Sequence, residues 1–124
     1  MLTPAAMGIQ RLFTQESLDQ LQALPAAVRI EPDVARYAVN LARATREHHA
    51  LDIGISPRAT TMLVAAARAM AACDGRDYTI PDDIKNLFHA VVSHRVNLSA
   101  SAEMDGLAVK DVLNELLQRV PAPR

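Results

Sequence analysis

Apolar residues recur at helical spacing over most of the chain. Five segments place them three or four positions apart, the spacing of one helical face. These segments cover residues 14–24, 32–48, 57–73, 81–92 and 109–120, and the last has the cleanest period. The pattern predicts an all-α fold, a helical bundle of about five helices.

The stretches between these segments predict little further regular structure. "RDYT" (76–79) and "HRVNL" (94–98) alternate well enough to pair as one short two-stranded β-ribbon. "PAAVRI" (25–30) is predicted to be a connector, and Thr14 a helix cap. Residues 1–12 show no period, so we interpret 1–12 as a leader or linker remnant and 13–124 as one domain.

The helical stripes also predict the core. The residues expected to face inward are Val34, Tyr37, Ala38, Leu41, Ala42, Met62, Leu63, Ala66, Ala67, Met70, Ile84, Leu87, Phe88, Val91, Val92, Val109, Val112, Leu113, Leu116, Leu117 and Val120.

Composition narrows the classes of function. The 124 residues are 50% hydrophobic with a net charge of -1, and nucleic-acid binders usually show a clustered basic excess. One cysteine cannot form an internal disulfide, and no apolar run approaches membrane-spanning length. We therefore expect a cytoplasmic protein that binds neither nucleic acid nor membrane.

The usual signs of a self-contained catalytic or metal site are missing. The chain has no G-x-x-x-x-G-K-[ST] phosphate loop. The four histidines and Cys73 lack the spacing of metal ligands, so we predict no metal site. The adjacent Asp82 and Asp83 follow Pro81 at a predicted helix start, where acidic residues pair with the helix dipole.

One helix start breaks this dipole rule. Three predicted helices begin with proline, and two of them place acids next, at Asp33 and Asp82. The third reads "GISPRATT", with Ser56 as cap, Pro57 first and Arg58 next. A cation there is disfavoured by about 0.3–1 kcal/mol. Arg58 is either a solvated surface arginine or half of an anion site that it shares with the helix N–H groups.

The order of several separated blocks favours the second interpretation. The run "ATR…LDIGISPRATTMLVAAARAMAACDGRDYTIPDDIKNLFHAVVSHRVNL" resembles the C-terminal lid domain of MoxR-type AAA+ ATPases over roughly residues 13–124. The matching blocks are 44–46, 54–59, 75–78, 81–83 and 94–95. The family commonly has threonine before the proline of the fourth helix, where this chain has Ile80. That helix would therefore lack its usual side-chain cap.

The resemblance implies a role for the unusual cation. Arg58 would be the second-sensor arginine, a catalytic residue that contacts the terminal phosphate of ATP. Pro57 and Ile55 would lie near the same nucleotide, whereas Tyr37 is expected to be a bundle residue. Magnesium and most of the ATP would be held by a missing AAA+ core domain, so the chain alone should not hydrolyse ATP.

The implied parent protein is a chaperone-like ATPase. Its lid would pack on the core domain of the same or a neighbouring subunit, in a homo-oligomeric ring that is often paired with von Willebrand A-domain proteins. Three alternatives remain open: the lid of a magnesium-chelatase-type subunit, a free-standing helical interaction module, and a helix-turn-helix protein that uses Arg58 and Arg68 on phosphates.

Overall fold

Six α-helices and a two-stranded antiparallel sheet make up the fold in a computed structural model, which describes residues 2–124. The helices are α1 (Gln15–Ala27), α2 (Pro32–Glu47), α3 (Pro57–Cys73), α4 (Pro81–Val92), α5 (Ala100–Met104) and α6 (Val109–Arg119). The strands are β1 (Leu51–Ile53) and β2 (Asn97–Leu98), and 3-10 turns lie at Ala5–Met7 and Ser93–Arg95. The prediction of a helical bundle with one short ribbon is confirmed.

The core lies between α2, α3, α4 and α6. Helices α2, α4 and α6 bury the apolar stripes that the sequence predicts. Alanines on α3 allow the neighbouring helices to approach closely. The largest fully buried side chains are Tyr37, Phe88, Leu41, Ile55, Leu63, Ile84, Leu113, Leu116, Val92, Thr45 and Thr79.

The prediction for the inner face of α3 was wrong at one position. Met62 is 44% exposed, whereas Leu63 is completely buried. The buried stripe continues through Ala67 and Ala71, four residues apart along one helical face. Met62 faces away from that stripe, where its sulfur lies 3.7 Å from a guanidinium nitrogen of Arg95.

The predicted partners of the ribbon were also wrong. β2 pairs with β1, with Leu98 opposite Leu51, and the Ser99 N–H donates to the Ala50 carbonyl at 2.8 Å. The stretch 76–79 forms a parallel bridge instead, between Tyr78 and Arg29. Alternation in such short stretches indicates an extended conformation but cannot identify the partner, because tertiary packing decides the pairing.

The first helix runs further than predicted and buries no residue. Thr14 caps it as expected, but α1 continues through Pro25 to Ala27. The Arg68 guanidinium of α3 donates to the carbonyls of Ala26 and Val28, which satisfies acceptors at the end of α1. The three leucines of α1, Leu18, Leu21 and Leu24, remain 40%, 45% and 52% exposed.

The sequence also gave no sign of α5. This helix has only five residues, too few to show a helical period, and it is capped by Ser99, whose Oγ accepts from the Ala102 N–H at 3.2 Å.

In the part of the chain from 2 to 124, no helix combines the length and the apolarity that a membrane span requires.

Candidate functional site

The start of α3 has the local structure that its sequence predicts. Ser56 is extended, and its Oγ accepts a hydrogen bond from the Ala59 N–H at 3.2 Å. Pro57 occupies the first helical position, where its missing N–H costs no hydrogen bond. Arg58 follows with its side chain on the exposed surface.

The charge at this helix start is unlike that of the other helices. The α-helices α1, α2, α4, α5 and α6 each carry an acidic residue in the first turn. The first turn of α3 has no acid and contains Arg58. No carboxylate of residues 2–124 forms an ion pair with Arg58. The charge of the guanidinium and that of the helix end are therefore both uncompensated within this part of the chain.

Lack of an ion pair is not by itself unusual on this surface. Arg43 and Arg119 are also exposed and form no ion pair with the described residues. Arg119 lies in the last turn of α6, where the dipole favours a cation. Arg43 lies in the C-terminal half of α2, before its last turn. Arg58 differs because it lies at the opposite end of its helix.

The loop before α3 is held by two consecutive residues of α2. Thr45 is completely buried, and its Oγ1 accepts a hydrogen bond from the Ile55 N–H at 3.0 Å. The Arg46 Nη1 donates to the Ile55 carbonyl at 2.9 Å. Both backbone groups of Ile55 are thus bonded to α2. The sequence contains the two blocks involved, "ATR" and "GISPR", but does not reveal that they meet.

Gly54 is required by the close approach of this loop to α2. A Cβ at this position would lie 2.6 Å from the Arg46 backbone nitrogen and 2.7 Å from its Cα. Such contacts are well inside van der Waals distance, so any side chain would force the loop and the helix apart.

Pro57 and Ile55 differ in what they can offer a ligand. Pro57 is exposed and lines an open, mostly apolar groove of about 340 Å³ between α2 and α3, together with Arg46 and Val64. The Ile55 side chain is completely buried. Any contribution of Ile55 to a bound nucleotide must therefore come from the position of the loop rather than from its side chain.

An ion pair between a buried carboxylate and a partly exposed arginine joins two of the other blocks. Arg76 binds Asp83 through two hydrogen bonds, of 2.9 and 2.6 Å, and also donates to Asp74 at 2.9 Å. The Asp83 side chain is only 4% exposed. The sequence interpretation of Asp83 as an acid that pairs with the helix dipole was incomplete, because its main partner is Arg76.

The pKa of Asp83 reflects competing effects. Burial by itself raises it, but the hydrogen bonds from Arg76 and from the Ile80 N–H, together with the Arg76 charge, bring the pKa below its ordinary value of 3.8. The Asp83 bonds in turn raise the pKa of Arg76.

The start of α4 is satisfied in a different way from the one expected. Ile80 offers no side-chain cap, as predicted, but the Asp83 carboxylate accepts a hydrogen bond from the Ile80 N–H at 2.8 Å. Asp82, the other acid of this turn, lies on the surface and pairs with Lys85 at 3.1 Å. One backbone donor of this helix start is therefore satisfied from within the helix.

The remaining residues of interest have structural roles. Arg95 folds back on α4 and donates to the Val91 carbonyl at 2.6 Å. Tyr37 is buried in the bundle, as predicted, and burial raises its pKa. His48 is buried at the end of α2, where its Nδ1 accepts from the Ala50 N–H at 3.1 Å.

Residues 2–124 contain no group of three or more acidic, histidine or cysteine residues that could hold a metal ion.

Comparisons with known proteins agree with the blocks noted in the sequence. Residues 43–116 match the family model of the AAA lid domain. The chain is 32% identical to the chaperone MoxR1 of Mycobacterium tuberculosis, over 93% of this chain and 33% of that protein. It is 34% identical to the protein MoxR of Methylorubrum extorquens, over 82% of this chain and 34% of that protein.

Two further relatives cover the same part of the fold. The protein YeaC of Bacillus subtilis is 31% identical, over 93% of this chain and 36% of that protein. A crystal structure of a candidate ATPase from Cytophaga hutchinsonii matches with a TM-score of 0.87 and 27% identity, over 93% of this chain and 38% of that one. The chain thus spans about a third of the length of the curated relatives it matches. With more than half of its residues in the family model, this chain belongs to the AAA lid domain family.

Proposed function

We propose that this domain is the lid of a MoxR-like AAA+ ATPase in which Arg58 is the second-sensor arginine. The observation that carries the proposal is the exposed guanidinium at the start of α3, in the only first turn without an acid among the six α-helices of residues 2–124. An anion placed there would interact favourably with both the side chain and the helix end.

The residues present suit one part of a bound Mg-ATP and not the rest. Arg58 supplies donors for phosphate oxygens, since a guanidinium can make two parallel hydrogen bonds to such a group. The chain has neither a phosphate loop nor a metal-binding acidic group among residues 2–124. Magnesium and the remainder of the triphosphate would then be bound by a core domain of the parent protein.

Arg58 would act by stabilising negative charge. Its guanidinium would donate hydrogen bonds to oxygens of the terminal phosphoryl group and orient that group for transfer. ATP offers this contact and ADP does not. The differential contact would make the orientation of the lid depend on the nucleotide, and coupling of this kind can drive remodelling of a client protein.

The proposed partners follow from this function. The domain would contact the AAA+ core of its own or a neighbouring subunit, in a homo-oligomeric ring. Cooperation with von Willebrand A-domain proteins is part of the same proposal. The name of one relative, a chaperone, supports a chaperone-like role.

The test replaces Arg58 in the full-length parent protein. We expect Arg58→Ala to lower kcat for ATP hydrolysis at least about tenfold, equivalent to about 1.4 kcal/mol of barrier. Arg58→Lys should recover only part of the loss, because an ammonium lacks the planar pair of donors. Arg119→Ala is the matched control, since Arg119 is equally without an ion pair but lies in the last turn of α6.

Two results would contradict the proposal. Turnover at the wild-type rate in Arg58→Ala would remove this residue from the reaction. An equal loss in Arg119→Ala would show that the effect comes from surface charge in general. Equilibrium binding of ATP and ADP adds a second readout, because the variant should weaken ATP binding more than ADP binding.

A further inference from the structure

The backbone of Ile55 is held on both sides by α2. Thr45 accepts from its N–H at 3.0 Å, and Arg46 donates to its carbonyl at 2.9 Å. Ile55 lies three residues before Arg58 and directly before the cap Ser56. The path of the chain into the first turn of α3 is therefore fixed from two consecutive positions of another helix.

We propose that Thr45 and Arg46 are positioning residues for Arg58. They would fix the direction in which the first turn of α3 presents the guanidinium to a phosphate. This inference rests on the proposed function of Arg58. It adds that two residues of α2 determine how accurately the Arg58 guanidinium is placed against a phosphate.

Thr45 is oriented for this role by a second hydrogen bond. Its Oγ1 donates to the Ala42 carbonyl of the preceding turn at 2.6 Å. With its proton used there, the oxygen presents a lone pair to the Ile55 N–H. Because Thr45 is fully buried, no water can take the place of this acceptor.

Arg46 and Gly54 close the other side of the clamp. The loop runs against the backbone of Arg46, where a Cβ on Gly54 would be only 2.6 Å from the Arg46 nitrogen. The Arg46 side chain passes the same loop, with the Gly54 Cβ position 2.7 Å from its Cγ, and reaches the Ile55 carbonyl. The loop can therefore neither approach α2 more closely nor move away without breaking hydrogen bonds.

Small errors in position matter for a catalytic contact. A displacement of about 1 Å can cost about a hundredfold in rate. Loss of the clamp should therefore lower turnover through Arg58 even where the domain stays folded.

The experiment uses the full-length protein with four substitutions. Thr45→Val removes the acceptor at nearly constant shape, and Thr45→Ser keeps the hydroxyl. Arg46→Met removes the donor but keeps a long side chain, and Arg46→Lys keeps a cation. Each is made with Arg58 present and in the Arg58→Ala background. Amide hydrogen exchange around residues 54–60 is measured without nucleotide, and kcat and KM are measured with ATP.

We expect Thr45→Val and Arg46→Met to speed exchange at residues 54–60 and to lower kcat about tenfold when Arg58 is present. In the Arg58→Ala background the same substitutions should cause no further loss of kcat, because the contact they position is gone. Thr45→Ser should restore most of the wild-type turnover, and Arg46→Lys part of it.

Three results would overturn the inference. Unchanged exchange at residues 54–60 would show that Thr45 and Arg46 do not hold the loop. Equal losses of kcat with and without Arg58 would indicate a general structural role. Wild-type turnover in Arg58→Ala would contradict the proposed function itself, while the exchange data would still decide whether the clamp exists. Arg46 is exposed, so Arg46→Met keeps the test decisive if Thr45→Val does not fold.

Discussion

At the scale of single residues, the two adjacent acids of α4 have different roles. Asp82 is a surface acid whose side chain is 66% exposed, whereas Asp83 is 4% exposed and bound by Arg76. Surface ion pairs contribute about 0–1 kcal/mol, but removing one partner of a buried pair leaves the other charge without compensation. Position on the helix decides which of the two acids matters for stability.

The first prediction compares these two acids. Asp83→Asn should lower the free energy of unfolding by about 2–3 kcal/mol, somewhat less than is typical for fully buried pairs because Arg76 is partly exposed. Asp82→Asn should cost less than about 1 kcal/mol. Urea unfolding followed by circular dichroism measures both, and equal costs would show that Arg76 contributes no more than Lys85.

The second prediction concerns pH. The pKa of Asp83 in the folded state lies below its ordinary value of 3.8, so its ionised form stabilises the native state above that pH. The contribution should disappear as the pH falls through the folded pKa. The difference in melting temperature between the wild type and Asp83→Asn should therefore be constant from pH 7 to 5 and shrink below about pH 4. A difference independent of pH down to acid unfolding would contradict the lowered pKa.

At the scale of elements, helix and strand patterns differ in how far they specify their surroundings. The apolar stripe on α3 predicted a helix with the correct ends and placed both Met62 and Leu63 on its inner face. In the structure Met62 is exposed and Leu63 is buried. An apolar residue at the edge of a stripe can face either way, because the packing of α4 against α3 selects the inward face. The exposed leucines of α1 illustrate the same limit.

The third prediction tests this boundary of the core. Leu63→Ala should lower the free energy of unfolding by about 2–5 kcal/mol, since it opens a cavity in a close-packed region. Met62→Ala, one position along, should cost about 0.5 kcal/mol or less, as is usual for surface substitutions. Similar costs for the two substitutions in urea unfolding would contradict the burial described above.

At the scale of the whole molecule, the lid would supply only part of the nucleotide site that we propose. The chain spans about a third of its curated relatives, and residues 2–124 offer one uncompensated helix start but no metal-binding group. A single cationic contact cannot replace the phosphate loop and metal ligands on which phosphoryl transfer depends.

The fourth prediction follows from this. The purified 124-residue chain should hydrolyse no ATP above the buffer rate, while circular dichroism shows it to be helical. Addition of a separately produced core domain is the informative companion experiment, because recovered turnover would have to come from the assembled site. Reproducible turnover by the purified chain alone would contradict the proposed division of the site.

The sequence by itself determined the five longer helices, most of the core and the residue on which the functional proposal rests. The helical period, the proline at helix starts and the unusual charge at Arg58 are local properties. Each is contained in a short stretch of sequence, so it can be recognised without knowing which segments pack together. The blocks "ATR" and "GISPR" could likewise be recognised as a resemblance.

Only the tertiary structure decided how those blocks meet. The bonds from Thr45 and Arg46 to Ile55, the ion pair of Arg76 with Asp83, and the pairing of β1 with β2 all join segments whose separation along the chain carries no periodic signal. Each depends on distances of about 3 Å that arise only when the helices pack, because a hydrogen bond requires both position and direction. Local patterns set which elements form, and packing sets which side chains those elements bring together.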